Sequence, residues 1–252
     1  MASTDRLRQI TEAVRAAGRM GVAELAELTG ASEMTIRRDL ESLADQGVLE
    51  RFRGGARSLL LRGEEPPFAL RAQEGLEVKR RIAAEVAGLI ADGESVVLDS
   101  GTTCLEVARA LDDRRLTVMP LSLHAVNALT GAPRLTLLVP GGRPRPGELA
   151  LTGPLTEASL AALRFDTAVI GCCGLNATHG LTAYDLDDAA VKRAAIASAR
   201  RVIAVAEAAK LSRTALAFVA PAAALHAVVT DEDAQQDETD ALAAAGVTVR
   251  RV

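Results

Sequence analysis

The sequence predicts an α/β protein in two parts, a small helical unit ending in a short extended ribbon and a larger unit built on a largely parallel sheet. Three observations predict it. Apolar residues recur at helical spacing between Ser32 and Gly47, residues 62–67 (RGEEPP) break all periodicity, and beyond Ser95 apolar runs of strand length alternate with helical segments. Runs that are apolar throughout suit strands buried on both faces, as in a parallel sheet covered by helices. At 252 residues, 49% of them apolar, the chain can fill a core in each part.

In the first part, Leu7, Ile10, Val14 and Ala17 repeat at helical spacing and Gly18 stops the helix. A second helix runs from Val22 to Thr29, with Leu25 and Leu28 for the core, and Gly30-Ala31 makes a tight turn. Ser32 then caps a third helix by offering its hydroxyl to a first-turn N–H, and Gly47 supplies the left-handed residue that ends it. Ile36, Leu40 and Leu43 fall on one stripe of that helix, with Met34, Arg37, Arg38 and Glu41 opposite. An extended piece from Val48 to Arg53 follows, closing on Gly54-Gly55. Helix, helix, turn, helix and ribbon is the plan of a winged helix-turn-helix. The residues expected to face DNA are Ser32, Met34, Thr35, Arg37 and Arg38 on the helix, with Glu41 orienting the arginines. On the ribbon, Arg51, Arg53 and Arg57 are placed to reach phosphates.

Composition narrows the partner. The net charge of −4 argues against a general nucleic-acid coat, and the imbalance is uneven: residues 1–62 hold 10 Arg and 9 Asp/Glu, against 19 Lys/Arg and 24 Asp/Glu beyond. Aromatics make up 2% of the chain, which all but removes base-stacking platforms and leaves duplex DNA as the nucleic acid.

Pro66 and Pro67 disfavour helical geometry before them. They place a linker at residues 58–76, between a DNA-binding domain at 1–57 and a second domain at 77–252 that would bind an effector and oligomerise. That domain opens with a helix from Lys79 to Ala91, carrying Ile82, Val86, Leu89 and Ile90 on one face. Strands are expected at Ser95–Leu98, Leu116–Met119, Leu135–Val139, Thr167–Ile170, Val202–Val205 and Ala227–Val229. The longest apolar run, Ala215 to Val229, is broken by Pro221 and His226. It falls short of the roughly 20 residues that span a bilayer. With no apolar signal core at the N-terminus, the expected location is the cytoplasm. Cys104, Cys172 and Cys173 lack metal-ligand spacing and read as small buried hydrophobes, and His124, His179 and His226 are scattered, so no metal is expected.

Ligands of open α/β sheets bind beyond the carboxyl ends of strands. The strand Val96–Leu98 delivers Asp99, Ser100, Gly101, Thr102 and Thr103 to such an end and runs on into a helix from Cys104 to Leu111. The N–H groups of that helix start, with the hydroxyls and the helix dipole, suit a phosphate, although the same residues also make an ordinary capped turn. Gly141, Gly142, Gly171 and Lys210 lie at other tips of the same edge, and together these outline a site for a small, polar, anionic ligand. Lys192, on the helix after Asp188, reads as a solvated surface lysine. The hydrolase elbow, the Walker A motif and the dinucleotide fingerprint are all missing, so neither a catalytic residue nor a cofactor is assigned.

With these residues in view, the chain resembles DeoR-family transcription regulators from about Arg6 to Asp231. The likeness is carried by Leu25-Ala26-Glu27-Leu28, Thr35-Ile36-Arg37-Arg38-Asp39-Leu40, Gly47, Arg51 and Gly54-Gly55-Ala56. In the second domain it rests on Lys79, Leu98-Asp99-Ser100-Gly101-Thr102-Thr103, Gly141-Gly142, Gly171, Val191-Lys192-Arg193 and Val229-Thr230-Asp231. The resemblance implies a repressor of carbohydrate-metabolism genes that binds double-stranded operator DNA as a homodimer or homotetramer and is released by a phosphorylated sugar or a related metabolite. It also implies a second domain similar in fold to ribose-5-phosphate isomerase. An isomerase would cast Asp99, Glu207 and Lys210 as acid and base, but would have no need of residues 1–56, so binding rather than catalysis is expected. An activator using the same sites is the other alternative. The chain departs from the family where Pro120-Leu121 replaces a Thr-Asn pair expected to touch the ligand, and where Glu207 and Asp188 replace an Asp and a Glu. Retained phosphate recognition with an unusual effector is what these departures imply.

Overall fold

The computed structural model describes residues 3–45, 48–58 and 66–252. They form two compact units, Met1–Glu74 and Gly75–Val252. In the first, α1 (Ser3–Ala17), β1 (Arg19–Gly21), α2 (Val22–Thr29) and α3 (Glu33–Asp45) are followed by a hairpin of β2 (Leu49–Phe52) and β3 (Gly55–Ser58). Its core gathers Ile10, Val14, Leu25, Ile36, Leu40, Leu43 and Leu49, the stripe that helical spacing predicts. Gly47, the expected stop of α3, lies outside the described residues.

Two details differ from the sequence reading. Leu28 is 45% exposed. Thr29 is buried in its place, because its hydroxyl donates to the Leu25 carbonyl at 2.7 Å and so loses nothing by leaving water. Within the expected linker, Phe68–Arg71 form a short helix, α4, and Leu70 joins the first core. Pro67, which breaks what precedes it, stands at the N-cap of α4, and the Arg71 guanidinium donates to the Pro66 carbonyl at 2.6 Å.

The second unit runs α5 (Leu76–Leu89), β4 (Ser95–Leu98), α6 (Thr102–Ala110), β5 (Thr117–Pro120), α7 (Leu123–Leu129), β6 (Thr136–Leu137), β7 (Arg143–Pro144), β8 (Leu151–Thr152) and α8 (Pro154–Ala161). It continues with β9 (Phe165–Gly171), β10 (Gly174–Asn176), β11 (Gly180–Ala183), α9 (Leu186–Ser198), β12 (Ala199–Val205), β13 (Ala217–Ala220), β14 (Ala227–Thr230), α10 (Gln236–Ala244) and β15 (Thr248–Arg251). A seven-stranded sheet of order β15-β14-β12-β9-β4-β5-β6 has every described pairing parallel. Each expected strand lies in it.

Alternate side chains of these strands feed different cores. Val96, Leu98, Val169, Ile203 and Val205 meet α5, α6 and α7 on one face. Val97, Ala168, Ile170, Val202 and Ala204 meet α8, α9, α10 and a smaller antiparallel sheet, β10-β11-β13, on the other. Burial on both faces is why these strands carry no polar alternation. β15, which carries Arg250 and Arg251 at the sheet edge, has no apolar run to announce it. Among the described residues no helix is long and apolar enough to cross a membrane.

From β4 the chain steps outward to β5 and β6, whereas from β9 it steps the other way, to β12, β14 and β15. The strand order therefore reverses between β4 and β9, the switch point beyond whose carboxyl ends doubly wound sheets bind ligands.

Candidate DNA-reading face and effector crevice

In the first unit the Thr35 N–H donates to Ser32 Oγ at 3.2 Å and the two hydroxyls lie 2.9 Å apart, so Ser32 caps α3. Met34, Arg37 and Arg38 are exposed on the face opposite the core. Arg37 pairs with Glu33 at 3.0 Å one turn earlier. Glu41 meets Arg51 of the wing at 3.5 Å rather than an arginine of its own helix. Arg57 donates to Glu50 across the hairpin, at 2.9 and 2.5 Å, and Arg53 is exposed at the turn. These pairs are solvent-exposed and weak, so a phosphate can take the place of the carboxylates.

Sequence reading missed the group that ties α3 to α1. Asp39 is buried and receives two hydrogen bonds from Arg6 of α1, at 2.6 and 3.2 Å. Its place between Arg38 and Leu40 gives no sign of a partner 33 residues away.

In the second unit Asp99 extends β4, donating its N–H to the Val169 carbonyl at 2.9 Å. Its carboxylate accepts from the Gly171 N–H at 2.9 Å and from Lys192 of α9. Lys192 also lies 3.3 Å from Asp188. All three side chains are buried, which corrects the reading of Lys192 as a surface lysine. The cause is visible in α9: between Asp188 and Ser198 its buried residues include Ala189, Val191, Lys192 and Ala195, so an alanine-rich helix is covered without an apolar stripe to mark the covered face.

Burial works against the Lys192 ammonium, but the Asp188 and Asp99 carboxylates outweigh it and hold its pKa above the usual lysine value. Burial pushes Asp99 up from the ordinary carboxylate range, with Lys192 opposing and Asp188 adding to the shift. The floor of the candidate site is thus one cation held between two carboxyl groups.

Around this floor, Ser100, Thr102 and Thr103 are buried at the start of α6, and Gly101 at the cap contributes no side-chain acceptor. The end of β9 approaches closely: a Cβ on Gly171 would stand 3.1 Å from the Ser100 carbonyl oxygen and 3.6 Å from Asp99 Oδ2. Lys210 reaches the same edge, donating from Nζ to the Cys172 carbonyl at 3.1 Å. Burial and the nearby Asp99 push the Cys104 thiol up, so at neutral pH it is a small uncharged group.

Gly141 and Gly142 stand directly before β7. They pack on α8, and Gly142 lines a cleft of about 500 Å³ with Arg143, Thr152, Pro154, Glu157 and Asp187. Pro120 and Leu121 are buried, and Ser122 caps α7 by accepting from the His124 N–H at 3.2 Å, so this rim presents no polar pair to a ligand. Among the described residues no group of three or more His, Cys, Asp or Glu is arranged to hold a metal.

Comparison with known families meets this geometry unit by unit. Residues 6–60 match the DeoR-like helix-turn-helix domain, and residues 74–232 match the DeoR C-terminal sensor domain. The chain belongs to the DeoR family. Relatives in the DeoR family include the HTH-type transcriptional regulator GlpR of Haloferax volcanii, 32% identical over 99% of this chain and 98% of that protein. The glycerol-3-phosphate regulon repressor of Escherichia coli is 32% identical over 92% of each chain. Among solved structures, ribose 5-phosphate isomerase A from Methanocaldococcus jannaschii aligns with a TM-score of 0.41 at 16% identity, over 54% of this chain and 55% of that one. The DeoR-family relatives are transcriptional regulators, and this chain is a DNA-binding transcriptional regulator rather than an enzyme.

Proposed function

We propose that the protein is a repressor of carbohydrate-metabolism genes, bound to operator DNA as a homodimer or homotetramer and released by a phosphorylated sugar held in the crevice between β4 and β9. The observation that carries this reading is the buried Asp99–Lys192–Asp188 cluster at the reversal of strand order, beside the N-terminus of α6. The phosphate sits on the first-turn N–H groups of α6 and the hydroxyls of Ser100, Thr102 and Thr103, where a helix start offers donors and positive potential. Sugar hydroxyls meet the Asp99 and Asp188 carboxylates, and Lys210 adds a cation at the rim.

On the DNA side, Thr35, Arg37 and Arg38 approach base edges, and Arg51, Arg53 and Arg57 engage the backbone. Release requires the effector to bind the DNA-free arrangement more tightly, by about 1–3 kcal/mol for ordinary coupling. The test is a gel shift on the DNA upstream of the protein's own gene, repeated with individual sugar phosphates. Release by one of them is expected. Release by none, with an unphosphorylated ligand effective instead, would sink the proposal.

A further inference from the structure

The loop that carries Lys210 is tied to the place where the chain enters the sensor unit. Glu207 follows β12 at the carboxyl edge of the sheet, and the loop is anchored there: the Ala206 N–H donates to the Val229 carbonyl at 3.1 Å and the Ala208 N–H to Asp231 at 2.7 Å. Three residues after Glu207, Lys210 donates to the Cys172 carbonyl beside Gly171. The Glu207 side chain points the other way. Its Oε1 lies 3.6 Å from Nζ of Lys79, and its Oε2 stands 2.9 Å from where a Cβ of Gly75 would be.

Gly75 is the first residue of the second unit, directly after Glu74, the last of the first. It caps α5 in a left-handed conformation, φ 57°, and its carbonyl accepts from the Lys79 N–H at 3.0 Å, the opening bond of that helix. Lys79 is 1% exposed. An ammonium at that depth is costly to strand without a carboxylate, whereas such a pair adds little stability over apolar residues of the same size. Its worth is therefore geometric: it ties the first turn of α5 to the Glu207–Lys210 loop.

We propose that the Lys79–Glu207 pair is the coupling element between the crevice and the DNA-binding unit, passing a shift of the Lys210 loop to the chain at Glu74-Gly75. This rests on the effector reading above for the identity of the ligand, but the linkage can be tested from the DNA side, because coupling between two sites is reciprocal.

The experiment is hydrogen exchange by mass spectrometry on the full-length chain, with and without a DNA duplex that the protein itself selects from random sequence. In the native chain, DNA should change exchange of the amides at 206–211 by about fivefold or more, the low end of ordinary coupling. In Glu207→Gln and in the double variant Lys79→Met/Glu207→Gln, which removes both charges of this pair, that change should vanish while the duplex still binds. An unaltered loop in the native chain on DNA binding overturns the proposal without recourse to any variant, and so does an undiminished response in the double variant. If the variants fold poorly, Glu207→Asp, which shortens the arm, should give a reduced response, and a full one counts against the proposal. Failure of every sugar phosphate to bind would refute the effector reading and leave this readout intact.

Discussion

Lys192, on the second turn of α9, donates to Asp99 at the end of β4, bridging helix and sheet at the point where strand order reverses. With Asp188 one turn earlier on the same helix, it makes a buried cluster of one cation and two carboxyl groups. The floor of the site is thus also a joint between helix and sheet.

Replacing Lys192 by Met should cost about 3–5 kcal/mol, since it leaves Asp99 and Asp188 buried without their cation. Urea denaturation measures it. The double variant Asp99→Asn/Lys192→Met should regain part of the loss, and a single variant as stable as the native protein would show that the pair does not hold the joint.

Arg6→Ala should lower stability by roughly 1.5–3 kcal/mol, the range for hydrogen bonds to a charged group. It should also weaken DNA binding although Arg6 lies on α1, because Asp39 then loses its hold on the orientation of α3. A variant with a lowered thermal midpoint and full DNA affinity would separate the two effects and count against this role.

Arg38→Ala should abolish operator binding with the circular-dichroism melt unchanged, since Arg38 is exposed and forms no ion pair among the described residues. Ser100→Ala and Thr102→Ala should do the opposite, keeping operator binding and blunting release by the effector. Loss of DNA binding in both of the latter would contradict the division of labour between the units.

Hydrogen bonds from the Ser95 N–H and hydroxyl, with Arg200 beside them, hold the Asp166 carboxyl below the usual carboxylate range. A lowered folded-state pKa means that the native state prefers the ionised form. The stabilisation is complete above the unfolded value and drains away as pH falls through the folded one. Stability against urea should therefore drop below about pH 4, and Asp166→Asn should lose stability at pH 7 while flattening that acid limb. An equally steep limb in the variant would assign the acid loss to other groups.

Gly142→Ala should destabilise the second unit, because φ there is +134° and the new Cβ would lie 2.0 Å from Thr156 Oγ1. Thr156→Ala in the same chain should relieve the clash but not the backbone strain, giving partial recovery of the melting temperature. Full tolerance of the single substitution would show that this hairpin can re-form around a side chain.

Much of the molecule is written locally and was legible in that form. Ile36, Leu40 and Leu43 declare the buried face of α3 because helical spacing repeats every few residues, and Ser32 declares its cap because the bond it makes is three residues long. The strands of the sheet announce themselves as apolar runs because both of their faces are covered. The carboxylate and hydroxyls of Asp99–Thr103 could be placed at a strand tip for the same reason.

Only the tertiary structure decided which distant residues meet there. β9 lies beside β4 although β5 follows β4 in the chain, and that order alone brings Gly171 to Asp99 at the switch point of the sheet. Lys192 is 93 residues from Asp99, Arg6 is 33 from Asp39, and Glu207 stands far along the chain from Lys79. An ion pair between such residues leaves no period in the sequence. A lysine looks solvated wherever its neighbours are alanines, and only packing shows that the alanines, and the lysine with them, are inside.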